Sequence, residues 1–168
     1  EADSMFAAVE QNYMQLKRRA QEAPLGKTLL MNKLTSAVWY VPAGGSTIGS
    51  IIADAHAGYA FAGDKSSGSL ALPFETVLEK SGQADVWLVR YAGQSQGTLA
   101  ALLSENKGYA QFKAFSTGEV YGCDTNGCTF YEDTPFHPDL LLRDFIIITH
   151  PEITDLGQPV YFTKMKRQ

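Results

Sequence analysis

Residues equipped for chemistry are sparse in this chain of 168 residues, and many of them fall between Tyr121 and Glu152. Cys123 and Cys128 flank Asp124-Thr125-Asn126-Gly127, a turn-forming tetrapeptide that can bring two sulfurs together across a hairpin. A disulfide there fits an extracytoplasmic compartment, and a pair of free thiols is equally compatible with the spacing. Glu132 and Asp133 form an acidic turn of the kind used in acid–base work, but no second convergent group accompanies them. The three histidines, His56, His137 and His150, do not show the i, i+4 spacing of a helical metal pair. Cys-x-x-Cys, His-Glu-x-x-His, a phosphate loop ending in Gly-Lys-Ser/Thr and Gly-x-Gly-x-x-Gly are all absent from the sequence, so neither a metal site nor a cofactor is expected. Gly44-Gly45-Ser46-Thr47-Ile48-Gly49 comes near a nucleophile elbow, yet its last glycine falls one residue late. A small α/β hydrolase built on Ser46, an aspartate and His137 or His150 is therefore one function class to test. The same loop offers two plainer readings: Ser46 as a helix N-cap, or free N–H groups that hold an anionic or carbonyl oxygen.

The elements that must position these groups follow from pattern. Tyr121 to Glu152 reads as a strand, a polar loop with both cysteines, a second short strand, the acidic turn and then the most apolar helix of the chain. Pro138 suits the first turn of that helix, and Pro151 stops it after His150. Leu140, Leu141, Leu142, Phe145, Ile146, Ile147 and Ile148 cover more than one face, which predicts a buried helix anchoring the polar loop. Upstream, residues 4 to 22 predict an amphipathic helix capped by Ser4, with Phe6, Val9, Tyr13 and Leu16 on one face. Thr28–Leu34 and Ala37–Val41 read as strands, a helix runs from Ser46 to about Ala55, and Gly58–Ala62 reads as a strand before a flexible loop, Gly63–Ser69. A short helix opens at Pro73 and reaches Lys80. Val86–Val89 is a continuous apolar run, as in strands covered on both faces. Helices over Thr98–Glu105 and Tyr109–Phe115 and a strand over Gly118–Cys123 complete an alternation that predicts a layered α/β fold with a largely parallel sheet. Open sheets of this kind bind ligands at the carboxyl ends of their strands, which singles out Arg90 and Tyr91; a surface ion pair is the other use for Arg90.

Composition narrows the partners. A hydrophobic content of 45% supports one globular domain, and a net charge of −4 with a pI near 5.3 argues against nucleic acid or an anionic membrane. The basic clusters Lys17-Arg18-Arg19 and Lys164 to Arg167 read as solvated helix ends. No apolar run approaches the roughly 20 residues of a membrane helix. The opening Glu1-Ala2-Asp3-Ser4 lacks the pattern of a signal peptide, as expected of a mature or trimmed product.

Several short motifs taken together carry a resemblance: Phe74-Glu75-Thr76-Val77-Leu78, Ala84-Asp85-Val86-Trp87, Gly118-Glu119-Val120-Tyr121, Phe130-Tyr131-Glu132, His137-Pro138-Asp139-Leu140-Leu141-Leu142-Arg143-Asp144 and His150-Pro151-Glu152. In this order, within residues 37 to 162, they resemble the substrate-binding proteins of ABC importers for ferric siderophores, haem and cobalamin, in the version of Bacteroides-type bacteria. The resemblance implies a three-layer, Rossmann-like α/β lobe, one half of a two-lobe protein joined by a rigid helix, with the ligand held between the lobes. Residues 1–22 correspond to the end of the connecting helix and 23–168 to the C-terminal lobe, so the N-terminal lobe would be a partner outside this sequence.

The same resemblance implies a binding protein rather than an enzyme, periplasmic or lipid-anchored outside the cytoplasm, with no cofactor beyond the transported iron complex or corrinoid. Its partners are then a small-molecule metal chelate and the transmembrane subunits of the permease. Glu75 matches the family's docking glutamate on this lobe. Trp39, Tyr40, Ser46, Lys65, Arg90, Tyr91, Asp124, Asn126, Tyr131, Glu132 and Asp133 are the candidate ligand residues along the strand-end loops. Core packing is the other reading for Trp39, and for Trp87 it is the preferred one. Besides the binding lobe and the hydrolase, a ligand-free module that docks on a permease is the third class.

Overall fold

A computed structural model describes residues 2–168 of the chain. Its core is a five-stranded sheet of order β4-β1-β6-β7-β8, where β1 is Thr28–Met31, β4 Gly58–Tyr59, β6 Val86–Tyr91, β7 Val120–Asp124 and β8 Thr163–Lys164. The first four strands are parallel and β8 runs antiparallel to β7, so the expected α/β class with a largely parallel sheet is what the chain adopts. Alternation decides the layers. Leu29, Met31, Val86 and Leu88 point to one face, where they meet α1 (Ala2–Glu22), α2 (Thr47–Asp54) and α7 (Pro138–Thr149) through Leu16, Ile51, Ile52, Leu142 and Phe145. Leu30, Trp87 and Val89 point to the other, onto α3 (Phe74–Ser81), α4 (Leu99–Glu105), a 3-10 turn at Lys107–Gln111 and α5 (Lys113–Thr117). A strand buried on both faces has no polar side to show, which is why Val86–Val89 reads as an unbroken apolar run.

Several local expectations are corrected. The strand expected over Thr28–Leu34 stops at Met31, because Asn32 turns into the left-handed region at φ 70°. Leu34–Thr35 becomes β2 and Val38–Pro42 becomes β3; with Ser69–Leu72, β5, they make a separate antiparallel sheet of order β2-β3-β5. The end of the supposed flexible loop is thus a strand. Gly58–Ala62 keeps only two strand residues. Tyr109–Phe115 divides between the 3-10 turn and α5. The second short strand expected after the cysteine loop is instead one helical turn, α6 (Phe130–Asp133), its Thr129 hydroxyl donating to the Asp133 carboxylate. Ser4 lies inside α1 rather than capping it, and Phe6 is exposed, so only the C-terminal half of that helix packs on α7 and α2.

Trp39 belongs to the core. Fully buried, it packs against Trp87 at 5.8 Å and edge-on to Tyr109 at 5.9 Å, with Phe74 and Phe112 completing the cluster. Its indole N–H donates to the Met31 carbonyl at 2.9 Å. Such aromatic pairs contribute about 0.5–1.5 kcal/mol each beyond the area they bury. Trp39 thus cannot reach a ligand.

A second anchor ties the chain's end to the sheet. Asp144 of α7 is completely buried, and its carboxylate accepts the backbone N–H groups of Val160, Tyr161 and Phe162 at 2.7, 2.7 and 3.2 Å. Burial pushes its pKa up, while the three N–H donors pull the other way. The segment so held leads directly into β8.

Candidate functional site

The carboxyl edge of the sheet collects the ends of β1, β6 and β7, and Arg90 is its central group. The guanidinium stands over the rings of Phe130 and Tyr131, 5.1 and 5.5 Å from their centroids. Its Nε and Nη2 donate to Asn32 Oδ1 at 3.3 and 3.0 Å. No carboxylate pairs with it among the described residues, so the surface ion pair considered for Arg90 is absent there.

Two hollows share this arginine. One, of about 210 Å³, is lined by Asn32, Lys33, Thr35, Tyr40, Arg90 and Tyr131. The other, of about 250 Å³, lies between Asn32, Arg90 and the hydroxyl-rich edge Ser46, Thr47, Ser67 and Ser69. Lys33 adds little net charge, since its ammonium sits 2.7 and 2.8 Å from the two Glu105 oxygens. Tyr40 and Tyr131 are exposed at 47% and 61%, so their rings are free to cover an apolar or aromatic ligand surface.

The candidate residues divide accordingly. Tyr40, Ser46, Arg90 and Tyr131 line the hollows. Ser46 does so with its hydroxyl already committed: Oγ donates to the Ala43 carbonyl at 2.6 Å and accepts Gly49 N–H at 3.0 Å, capping α2. Its N–H bonds to Ala43 and that of Gly45 to Asp64. A Cβ at Gly44 would stand 2.2 Å from the Ala62 carbonyl oxygen. The two glycines are therefore required by close packing against residues 62–66.

Neither histidine nor carboxylate is a hydrogen-bond partner of Ser46 among the described residues. His150 is buried with Nε2 2.8 Å from the Ala55 carbonyl, and His137 stands at the N-cap position of α7 without a side-chain capping bond. The hydrolase arrangement is not assembled.

Asp124 closes its own loop, its carboxylate accepting Gly93 N–H at 2.9 Å and Asn126 N–H at 3.0 Å. Tyr91 packs beside Gly97 and Gly122, and burial pushes its phenol pKa up. Asp133 accepts from Thr129. Lys65, Asn126 and Glu132 are exposed, and none of them lines a hollow around Arg90. Cys123 is buried and Cys128 half-buried, both as free thiols. Burial, followed by the hydrogen bond with Cys128, pushes the Cys123 thiol up.

Asn32 is the residue that pattern reading missed. An asparagine ending an apolar strand run is a signal for a left-handed turn, but nothing local to it announces its link to Arg90, 58 positions away.

Glu75 is exposed in the first turn of α3 and makes no ion pair among the described residues. A third and larger hollow, about 580 Å³, runs between α1, α2 and the turn before α7. It is mainly apolar, with Phe6, Val9, Tyr13, Ile51, Phe136 and Pro138 in its walls.

The model of the family described as periplasmic binding protein matches residues 1–126. The uncharacterized lipoprotein MJ0878 of Methanocaldococcus jannaschii is 28% identical over 165 residues, which is 98% of this chain and 38% of that protein. Among solved structures, the TroA-like periplasmic binding protein FepB of Veillonella parvula aligns over 95% of this chain and 56% of its own, at TM-score 0.66 and 17% identity. S. aureus IsdE complexed with heme aligns over 88% and 57%, at TM-score 0.65 and 13% identity. The ABC-type Fe3+-hydroxamate transport system of Saccharomonospora viridis aligns over 87% and 48%, at TM-score 0.64 and 15% identity. At these identities the structures establish a shared fold. The chain spans 38% of that relative's length and about half of each of these solved chains.

Proposed function

We propose a function on one premise: this chain belongs to the periplasmic binding protein family. It acts as the C-terminal lobe of a two-lobe substrate-binding protein that captures an anionic iron complex, a ferric siderophore or haem, and delivers it to an ABC permease. The observation that carries this reading is Arg90. A cation without a carboxylate partner among the described residues stands at the carboxyl edge of a parallel sheet, between two hollows and against the exposed ring of Tyr131. An anionic ligand with aromatic or conjugated surface matches both the charge and the rings. A corrinoid draws no such support from a lone cation.

The two-lobe reading is supported by the half-length coverage of the relatives and by the apolar hollow beside α1, where Phe6 and Phe136 are 55% and 59% exposed. Those residues suit the cover of an upstream lobe, with residues 1–22 as the end of the connecting helix and 23–168 as the lobe proper. Glu75 is the docking contact for a permease arginine: exposed, unpaired among the described residues and favoured at a helix N-terminus. The location follows the family and the lipoprotein relative: periplasmic, or lipid-anchored outside the cytoplasm.

Titrating the whole protein with haem, a ferric tris-catecholate and an anionic ferric citrate complex tests the reading. Binding of one of them, weakened about tenfold or more by Arg90→Gln, is expected. Failure of all three, or an Arg90→Gln variant that binds like the parent, overturns it. In cells, Glu75→Ala is expected to abolish uptake while leaving ligand affinity unchanged, and unchanged uptake removes the docking role.

A further inference from the structure

We infer that Asn32 is the positioning residue of the anion site, the group that sets the Arg90 guanidinium in place before ligand arrives; the inference rests on the reading of Arg90 as the ligand's cation. Asn32 sits at φ 70°, one of three non-glycine residues in the left-handed region among those described, and asparagine tolerates that conformation better than most side chains. All four of its polar groups are engaged. Its N–H donates to the Leu88 carbonyl at 2.8 Å, and its carbonyl accepts the Trp87 indole N–H at 2.6 Å. Nδ2 donates to the Tyr40 carbonyl at 2.9 Å, and Oδ1 accepts from Arg90 Nε and Nη2.

These bonds determine more than stability. An amide flip would turn the NH₂ toward a guanidinium that can only donate, so the Tyr40 and Arg90 contacts together allow one orientation of the side chain. Asn32 Oδ1 takes one edge of Arg90, and the rings of Phe130 and Tyr131 lie against its face. Nη1 donates to no group among the described residues, and Arg90 lines both hollows. A free arginine loses much rotamer freedom when a ligand orders it, and a guanidinium already held in place avoids that loss on binding. Asn32 also supplies a neutral oxygen rather than a carboxylate, so it orients the charge without cancelling it.

The test separates positioning from folding with Asn32→Gly, which keeps a backbone suited to positive φ but removes the amide, and Asn32→Asp, which pairs with Arg90 and neutralises it. In the ¹⁵N-labelled whole protein, the Arg90 Nε–H resonance, identified by its loss in Arg90→Gln, is expected to be resolved and slow to exchange. In Asn32→Gly it is expected to merge with the exposed arginines. That readout needs no ligand. With a ferric tris-catecholate, Asn32→Gly is expected to bind about tenfold more weakly and Asn32→Asp more weakly still. The cationic ferric complex of desferrioxamine B, if it binds, is expected to change by less than twofold in Asn32→Gly, and adding Asn32→Gly to Arg90→Gln should cost nothing further. An unchanged Arg90 resonance, equal loss of both complexes, or full additivity with Arg90→Gln overturns the inference. A parent protein that binds neither complex counts against the proposed ligand class, while the resonance still decides the role of Asn32.

Discussion

Replacing Asp144 with alanine probes how the chain's end is tied to the site. Its carboxylate is the acceptor for three consecutive backbone N–H groups, at 2.7, 2.7 and 3.2 Å. Val160 is 44% exposed, so water can reach that end of the segment, whereas Tyr161 and Phe162 are buried. Two buried donors are then left without an acceptor, at about 1–3 kcal/mol each. Removing a buried carboxylate returns part of that through its own desolvation, and a net loss of about 3 kcal/mol is expected, or roughly 6–12 °C in Tm for a domain of this size.

The damage should also be directional. Tyr161 and Phe162 stand edge-on to Phe130 at 5.4 and 5.9 Å, and Phe130 supports Arg90. Urea unfolding gives the energy, and amide hydrogen exchange gives the location, with residues 160–165 losing protection before β6. Asp139→Ala is the control. This aspartate is also buried on α7, but its recorded hydrogen bond comes from the Asn12 side chain at 2.7 Å, and about 1 kcal/mol is expected. If Asp144→Ala costs no more than Asp139→Ala, or if protection falls evenly over the sheet, the latch reasoning fails.

Gly44→Ala should destabilise by about 2–3 kcal/mol, because its Cβ would meet the Ala62 carbonyl oxygen at 2.2 Å and backbone cannot rotate aside; thermal melting measures it, and a parent-like Tm would show that the two loops separate easily. In the native protein a disulfide-exchange thiol reagent should modify the half-buried Cys128 well before Cys123, whose thiol is raised by burial and then by its hydrogen bond with Cys128. Equal rates would contradict that order. Asp85 has a depressed pKa, chiefly from the Lys113 hydrogen bond. Its stabilisation is present above the unfolded carboxylate pKa and is lost as pH falls through the lower folded value. Solvent screening limits the charge contribution to about 0.5 kcal/mol, so Asp85→Asn should flatten the acid limb of a stability profile below about pH 4 and leave the slope near neutrality unchanged.

Local order of residues determined much of this protein. Val86–Val89 and Leu140–Ile148 identify themselves as a strand and a helix covered on more than one face, since periodicity acts over a few neighbours and needs no distant partner. The same holds for Pro138 opening α7 and Pro73-Phe74-Glu75 opening α3, and the succession of such elements was enough for a parallel α/β sheet. Tertiary structure decided what depends on pairing across the chain. Ser69 reads as the end of a loop and instead opens the strand Ser69–Leu72, because Val38–Pro42 pairs with it. Trp39 and Tyr40 are adjacent in sequence, yet the alternation of β3 sends the first into an aromatic core and leaves the second beside Arg90. Arg90 and Tyr131 were visible as a cation and a ring at the right edge, but their stacking was not. Asn32 was not visible at all as a site residue, because its role comes from a left-handed turn that brings one amide within reach of Tyr40 and Arg90 at once. A short apolar strand specifies itself; the direction of a single guanidinium is specified only by residues that the fold brings to it.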